Sequence, residues 1–109
     1  MLYYRYKRKK ELKKVFKIYF ADMAKATGKK EIKKRPVVVI KESGNYVSVL
    51  KITSRNKDDE FHVRMNNFII HGFCDISRIY KIERRYLLRW MRNCTSSEVE
   101  AIEEKLNSR

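Results

Sequence analysis

A chain of 109 residues accommodates one hydrophobic core, since folding at this size removes roughly 60 to 70% of the extended chain's surface from water. It carries 27 Lys and Arg against 13 Asp and Glu, a formal net charge of +14, yet 43% of its residues are apolar, which describes a folded domain with a cationic shell and excludes a disordered tail. No run approaches the roughly 18 to 20 apolar residues that span a bilayer, no cleavable leader is apparent, and Cys74 and Cys94 match no paired metal-ligand pattern, so a soluble cytoplasmic protein with reduced thiols and no membrane association is expected.

The charge is unevenly placed. Residues 1–35 hold 14 basic side chains against Glu11, Asp22 and Glu31, a local excess of 11. Such a surface attracts polyanions, because each Lys or Arg that neutralises a phosphate releases a condensed counterion. The plainer alternative is a solubilising basic face with no partner.

Residues 1–14 read as a basic arm or helix, set before a single domain over 15–109. Val15 to Phe20 is rich in β-branched and aromatic residues and predicts a first strand, followed by a polar loop from about Asp22 to Lys34. Pro36 to Ile40 is a continuous apolar run opened by a proline, which suits a buried central strand. Turn residues from Glu42 to Tyr46 predict a tight hairpin into a third strand, Tyr46–Thr53, paired antiparallel with the second. After a polar stretch, a short strand is expected at Glu60–Met65 with Phe61, Val63 and Met65 on one face. Phe68-Ile69-Ile70 then leads to a turn at Gly72. Ile76 to Ile82 predicts another strand, with Ile76, Tyr80 and Ile82 on one side and Ile79 on the other, while Tyr86 to Met91 fits either a helical turn or a last strand. Thr95 and Glu98 form a capping box ahead of Val99, Ile102 and Leu106, which predicts a terminal helix. The order implies a mainly β fold with a C-terminal helix, built on a strongly bent antiparallel sheet or small barrel rather than alternating βα units.

No zinc pattern, glycine-rich phosphate loop or GxSxG elbow is present, so classical cofactor chemistry is not expected. Two sites are left: the basic loop ending in Lys33-Lys34-Arg35-Pro36 and the polar turn Thr53-Ser54-Arg55-Asn56. The run Lys34-Arg35-Pro36-Val37-Val38-Val39-Ile40, a hairpin, Leu50-Lys51-Ile52-Thr53-Ser54, and then Phe61-His62-Val63 resembles the successive signatures of MazF/PemK-type toxins of bacterial type II toxin–antitoxin systems. The resemblance covers roughly Val15 to Leu106. It departs from the family in the basic residues ahead of the first strand, in Lys14-Val15 where a glycine is usual, and in a loop from Asp22 to Lys34 that is richer in lysine.

The resemblance implies a small SH3-like barrel of the CcdB/MazF type, a homodimer, and an endoribonuclease toxin held by a cognate antitoxin protein. Such an enzyme cuts single-stranded RNA, including mRNA, at short sequences without metal or cofactor. Attack by the 2′-hydroxyl leaves a 2′,3′-cyclic phosphate. The residues agree with that chemistry: Arg35 offers a rigid fork matched to phosphate oxygens and is assigned to transition-state stabilisation, with proton transfer to or from a reacting oxygen as an open second role, and Thr53 offers a hydroxyl to hold the scissile phosphate. Lys29, Lys30, Lys33, Lys34, Ser54, Arg55 and Asn56 are expected to form the RNA-binding rim. The general base is unassigned, because arginine is ordinarily protonated.

Each of these has a structural alternative. Arg35 could be the end of a solvated basic run, and Thr53 a strand-end threonine bonding its own backbone. His62 reads as a half-exposed strand residue rather than a base, and His71 as structural beside a glycine turn. The rival function is a barrel of the same shape that binds nucleic acid without cutting it, or that poisons a partner enzyme as CcdB does.

Overall fold

The computed structural model describes residues 16–30, 32–55, 59–66 and 71–108. The basic arm, Val15, Asn56 and the run Phe68 to Ile70 lie outside the described residues. The strands are β1 Lys17–Asp22, β2 Lys34–Ser43, β3 Tyr46–Thr53, β4 His62–Asn66, β5 His71–Asp75, β6 Tyr80–Glu83 and β7 Leu87–Asn93. Two α-helices accompany them, α1 Met23–Thr27 and α2 Ser96–Asn107, with a single 3₁₀ turn at Arg84–Tyr86. Among the described residues no helix is long and apolar enough to cross a membrane.

All pairings are antiparallel, in the order β4-β5-β3-β2-β1-β7, with β6 also on β3. The mainly β architecture with a C-terminal helix is therefore as expected. The sheet is bent but not closed into a barrel: no pairing joins β4 to β7 among the described residues, and α2 covers the face near β4 instead.

The uninterrupted Val37-Val38-Val39 run of β2 is explained by burial on both faces. Val38, Leu50 and Ile52 point into one core with Ile18, Val63, Met65 and Cys74, closed by Val99 and Ile102 of α2. Val37, Val39, Val47 and Val49 point into a second with Ala21, Met23, Tyr80 and Ile82. Gly44, at φ +60°, supplies the left-handed residue of the two-residue turn between Ser43 and Tyr46.

Helix α2 starts where its capping box demands. Thr95 Oγ1 accepts from the Glu98 backbone N–H at 3.2 Å, and the Glu98 carboxylate accepts from the Thr95 N–H at 2.8 Å. Its far end is tied to β4 by Lys105 Nζ, which donates to the carbonyls of Asp59 and His62 at 3.0 and 2.8 Å.

Four local expectations are corrected. The loop from Asp22 to Lys34 contains α1, because the Asp22 side chain caps the Lys25 N–H at 3.1 Å, Met23 is buried, and Gly28 ends the turn at φ +72°. Residues His71 and Gly72 belong to strand β5, where ladder pairing with β4 overrides the turn preference of glycine. Phe61 lies ahead of β4 and is exposed, unlike Val63 and Met65. The strand expected over Ile76–Ile82 is confined to β6, Tyr80–Glu83, because the Asp75 carboxylate accepts from the Ser77 N–H at 2.9 Å and turns the chain after β5; the segment Tyr86–Met91, open between two readings, takes both in succession, the end of the 3₁₀ turn and then β7.

Candidate active site

The β2–β3 ladder runs from the hairpin down to the pair Val37–Lys51 and stops there. One residue further on β2 stands Pro36, which has no N–H to donate. On β3 the next residues, Ile52 and Thr53, pair with Cys74 and Phe73 of β5 instead. The two strands therefore fork, and an open cleft of about 330 Å³ occupies the fork. Lys33, Lys34, Arg35 and Pro36 line one limb and Ile52 and Ser54 the other, with His71 of β5 and Met91 of β7 completing the wall.

Arg35 is half-buried, and its Nε is buried without a hydrogen-bond partner. An N–H donor in that state is costly unless a ligand acceptor satisfies it. Lys33 and Lys34 are exposed beside it. The cleft wall thus carries three cationic side chains, one of them a guanidinium whose buried Nε has no hydrogen-bond partner, a combination suited to a phosphate.

Thr53 is not a wall residue of the cleft, although both its chain neighbours are. Counting on from the last β2–β3 pair brings Arg35 level with Thr53 along the chain, but the strands have parted there: Arg35 pairs with Ala21 of β1 and Thr53 with Phe73 of β5. From Thr53 the row goes on through Phe73 to Arg64 of β4. The Arg64 guanidinium lies 5.4 Å from the Phe73 ring centroid and is exposed. The paired row thus crosses three strands, from Thr53 on β3 to an arginine on β4.

The half-buried Thr53 accepts through Oγ1 from the Arg55 N–H at 3.3 Å, which pins the chain as it leaves β3. That contact uses an oxygen lone pair and leaves the hydroxyl hydrogen available to a second acceptor. The local backbone bond and a phosphate contact are thus compatible.

The other expected rim residues divide. Ser54 lines the cleft, while exposed Arg55 stands beside it. Lys29 and Lys30 follow α1 and are not among the wall residues; the Lys29 N–H donates to Thr27 Oγ1 at 3.2 Å. His62 is held by Asp59, Nδ1 to Oδ1 at 2.6 Å, with its side chain only 12% exposed, and lies away from the cleft wall. His71, by contrast, is exposed and lines it. Sequence reasoning missed its place because the glycine beside it signals a turn. Arg64 was equally hidden, since its alternation with Val63 and Met65 fits any solvated strand face.

A family model described as the PemK-like, MazF-like toxin of type II toxin–antitoxin systems matches residues 14–108. Among solved structures, the chain is similar to MazF from Deinococcus radiodurans in its Form-I crystals, with a TM-score of 0.72 and 15% identity over 84% of this chain and 90% of that one. It is similar to an endoribonuclease in complex with its cognate antitoxin from a mycobacterial species, with a TM-score of 0.70 and 13% identity over 84% and 88%. It is also similar to the Mycobacterium tuberculosis toxin MazF-mt6, at 0.67 and 18% over 84% and 93%. No curated protein matches the sequence.

Proposed function

The chain belongs to the PemK-like, MazF-like toxins of type II toxin–antitoxin systems, and we propose that it is an endoribonuclease that cuts single-stranded RNA, mRNA included, at the fork between β2 and β3. The observation that carries this reading is the unpartnered Nε of Arg35, buried in a cleft whose neighbouring side chains are Lys33 and Lys34. A guanidinium so placed can give two parallel hydrogen bonds to the non-bridging oxygens of one phosphate. These strengthen as charge accumulates on the phosphorane, so the interaction favours the transition state over the ground state.

Thr53 donates its hydroxyl hydrogen to the same phosphate from β3. Arg55, Lys29 and Lys30 extend the positive rim along which the RNA backbone runs, and Ser54 adds a neutral hydroxyl to it. In this reading the reaction is metal-independent, because the guanidinium of Arg35 supplies the charge that the developing phosphorane needs. The RNA's own 2′-hydroxyl attacks, leaving a 2′,3′-cyclic phosphate and a 5′-hydroxyl. The active unit is a homodimer, and a cognate antitoxin inhibits it by laying an acidic segment into the same cleft, in competition with RNA.

The test is incubation of the protein with mixed-sequence single-stranded RNA in excess chelator, followed by analysis of fragment ends. Fragments ending in a 2′,3′-cyclic phosphate are expected, with no cleavage where a 2′-deoxy residue stands at the scissile position. Intact RNA with a salt-dependent gel shift would replace the nuclease by a barrel that binds without cutting.

A further inference from the structure

We infer that His71 is the general base of this site, the group that takes the proton from the attacking 2′-hydroxyl; the inference rests on the nuclease reading above. Cleavage by the 2′-oxygen needs a proton acceptor on one side of the phosphorus and a proton donor on the other. The wall of the cleft holds few groups able to accept. Lys33, Lys34 and Arg35 are cations with N–H donors and no lone pair. Pro36, Ile52 and Met91 exchange no protons, and the Ser54 hydroxyl is a very weak base. The imidazole of His71 is the wall group whose ring nitrogen can offer a lone pair to a proton.

Position supports the same role. Phe73 pairs with Thr53, and His71 lies two residues further along β5, on the same face of the sheet. It is thus the diagonal neighbour of Thr53, at a Cα spacing of roughly 7 to 8 Å. Arg35 and His71 line the same cleft, from β2 and β5. A phosphate held by Arg35 in this cleft therefore lies in the space that the His71 imidazole also lines. The side chain is exposed and reachable by RNA.

The proton balance closes with groups already in the cleft. An unprotonated ring nitrogen of His71 takes the 2′-hydroxyl proton as the O2′–P bond forms. The P–O5′ bond breaks, and the departing 5′-oxygen takes a proton from a cationic side chain of the rim or from water. The imidazolium then returns its proton to solvent.

The experiment compares His71→Ala and His71→Gln with the unsubstituted chain in single-turnover cleavage at saturating protein. Affinity is measured separately on RNA blocked by a 2′-deoxy residue at the scissile position. Each substitution is expected to slow cleavage about 10²- to 10⁴-fold, to leave affinity for the blocked RNA within about threefold, and, in His71→Ala, to be partly reversed by added free imidazole. Cleavage by both variants at the unsubstituted rate, or slow cleavage that imidazole does not raise, overturns the assignment. Failure of the unsubstituted chain to cut RNA would overturn the nuclease reading itself, so the two failures are separable.

Discussion

The backbone of Gly72 passes so close to Thr53 that a β-carbon at position 72 would lie 2.5 Å from the Thr53 carbonyl oxygen and 3.1 Å from Ile52 Cγ2. The nearest atom belongs to backbone, so it cannot rotate away. β5 is thereby pressed onto the stretch of β3 that carries Thr53 and sits one residue from His71. Gly72→Ala is expected to cost on the order of 1 to 3 kcal/mol, the usual range for overpacking, and to reduce RNA cleavage further than the stability loss explains, because the Thr53 turn must move. Urea unfolding and single-turnover cleavage at a temperature where the variant is folded separate the two effects.

Arg92 and Glu98 form a buried, bidentate pair at 2.7 and 2.8 Å that locks the end of β7 to the first turn of α2. Burial pushes the Glu98 carboxyl up, but the hydrogen bonds from Arg92 and Thr95 outweigh it and hold the group below its ordinary 4.5. Arg92 is held above its ordinary value, first by its hydrogen bond to Glu98. For a carboxyl depressed in the folded state, the stabilisation is present above the unfolded value and disappears as pH falls through the folded one. Stability is therefore expected to decline from about pH 4.5 downward, and Glu98→Gln is expected to flatten that decline. Glu98→Ala strands a buried guanidinium and is expected to cost about 3 to 5 kcal/mol. Urea unfolding from pH 3 to 7 measures both.

Much of the fold was legible because its signals are local. The β2–β3 hairpin announces itself through a valine run, a glycine turn and a resumed alternation, and α2 through Thr95 and Glu98. What was illegible depends on pairing partners distant in sequence. Gly72 reads as a turn until β4 and Thr53 are set beside it, and only its strand setting turns His71 toward the cleft. Arg35 and Thr53 could be singled out by residue type, but the fork that opens the cleft beside Arg35 depends on where the β2–β3 ladder stops and on Thr53 pairing with β5 instead. The helix α1 is too short for a periodic pattern and shows only through its Asp22 and Gly28 caps.

Cys74 and Cys94 pack in or against the α2-side core. Burial pushes the Cys74 thiol well up and the Cys94 thiol up to about 12. Since the thiolate is the reactive form, neither cysteine is expected to alkylate with iodoacetamide at pH 8 in the native protein, whereas both should react in urea. Native labelling of either side chain, read by mass spectrometry, would contradict this burial.

Charge alone does not make Arg35 work in the proposed nuclease; the planar fork does. Arg35→Lys keeps the positive charge but replaces a two-pronged donor with a compact ammonium that cannot reproduce the geometry at Nε. Cleavage is therefore expected to fall nearly as far with Arg35→Lys as with Arg35→Ala, by about 10²- to 10³-fold as for other lost transition-state donors. The affinity of the lysine variant for blocked RNA should stay closer to that of the unsubstituted chain than the alanine variant's does. If lysine restored full rate, the site would require only a cation.

Lys33 and Lys34 contribute differently, as exposed charges beside the fork. An exposed lysine that neutralises one phosphate adds to affinity by releasing counterions, and for a single strand each such contact contributes roughly 0.7 to the slope of log K against log salt. Replacing both by alanine is therefore expected to weaken binding of 2′-deoxy-blocked RNA at low salt and to reduce the slope by about 1.4, twice that single contribution. The single-turnover rate at saturating protein should change little, because the loss falls on binding rather than on the reacting phosphate. Arg64→Ala, at the far end of the row through Phe73, should lower the slope in the same way if RNA runs on from the cleft along that row. An unchanged slope for that variant would confine the RNA to the β2–β3 fork.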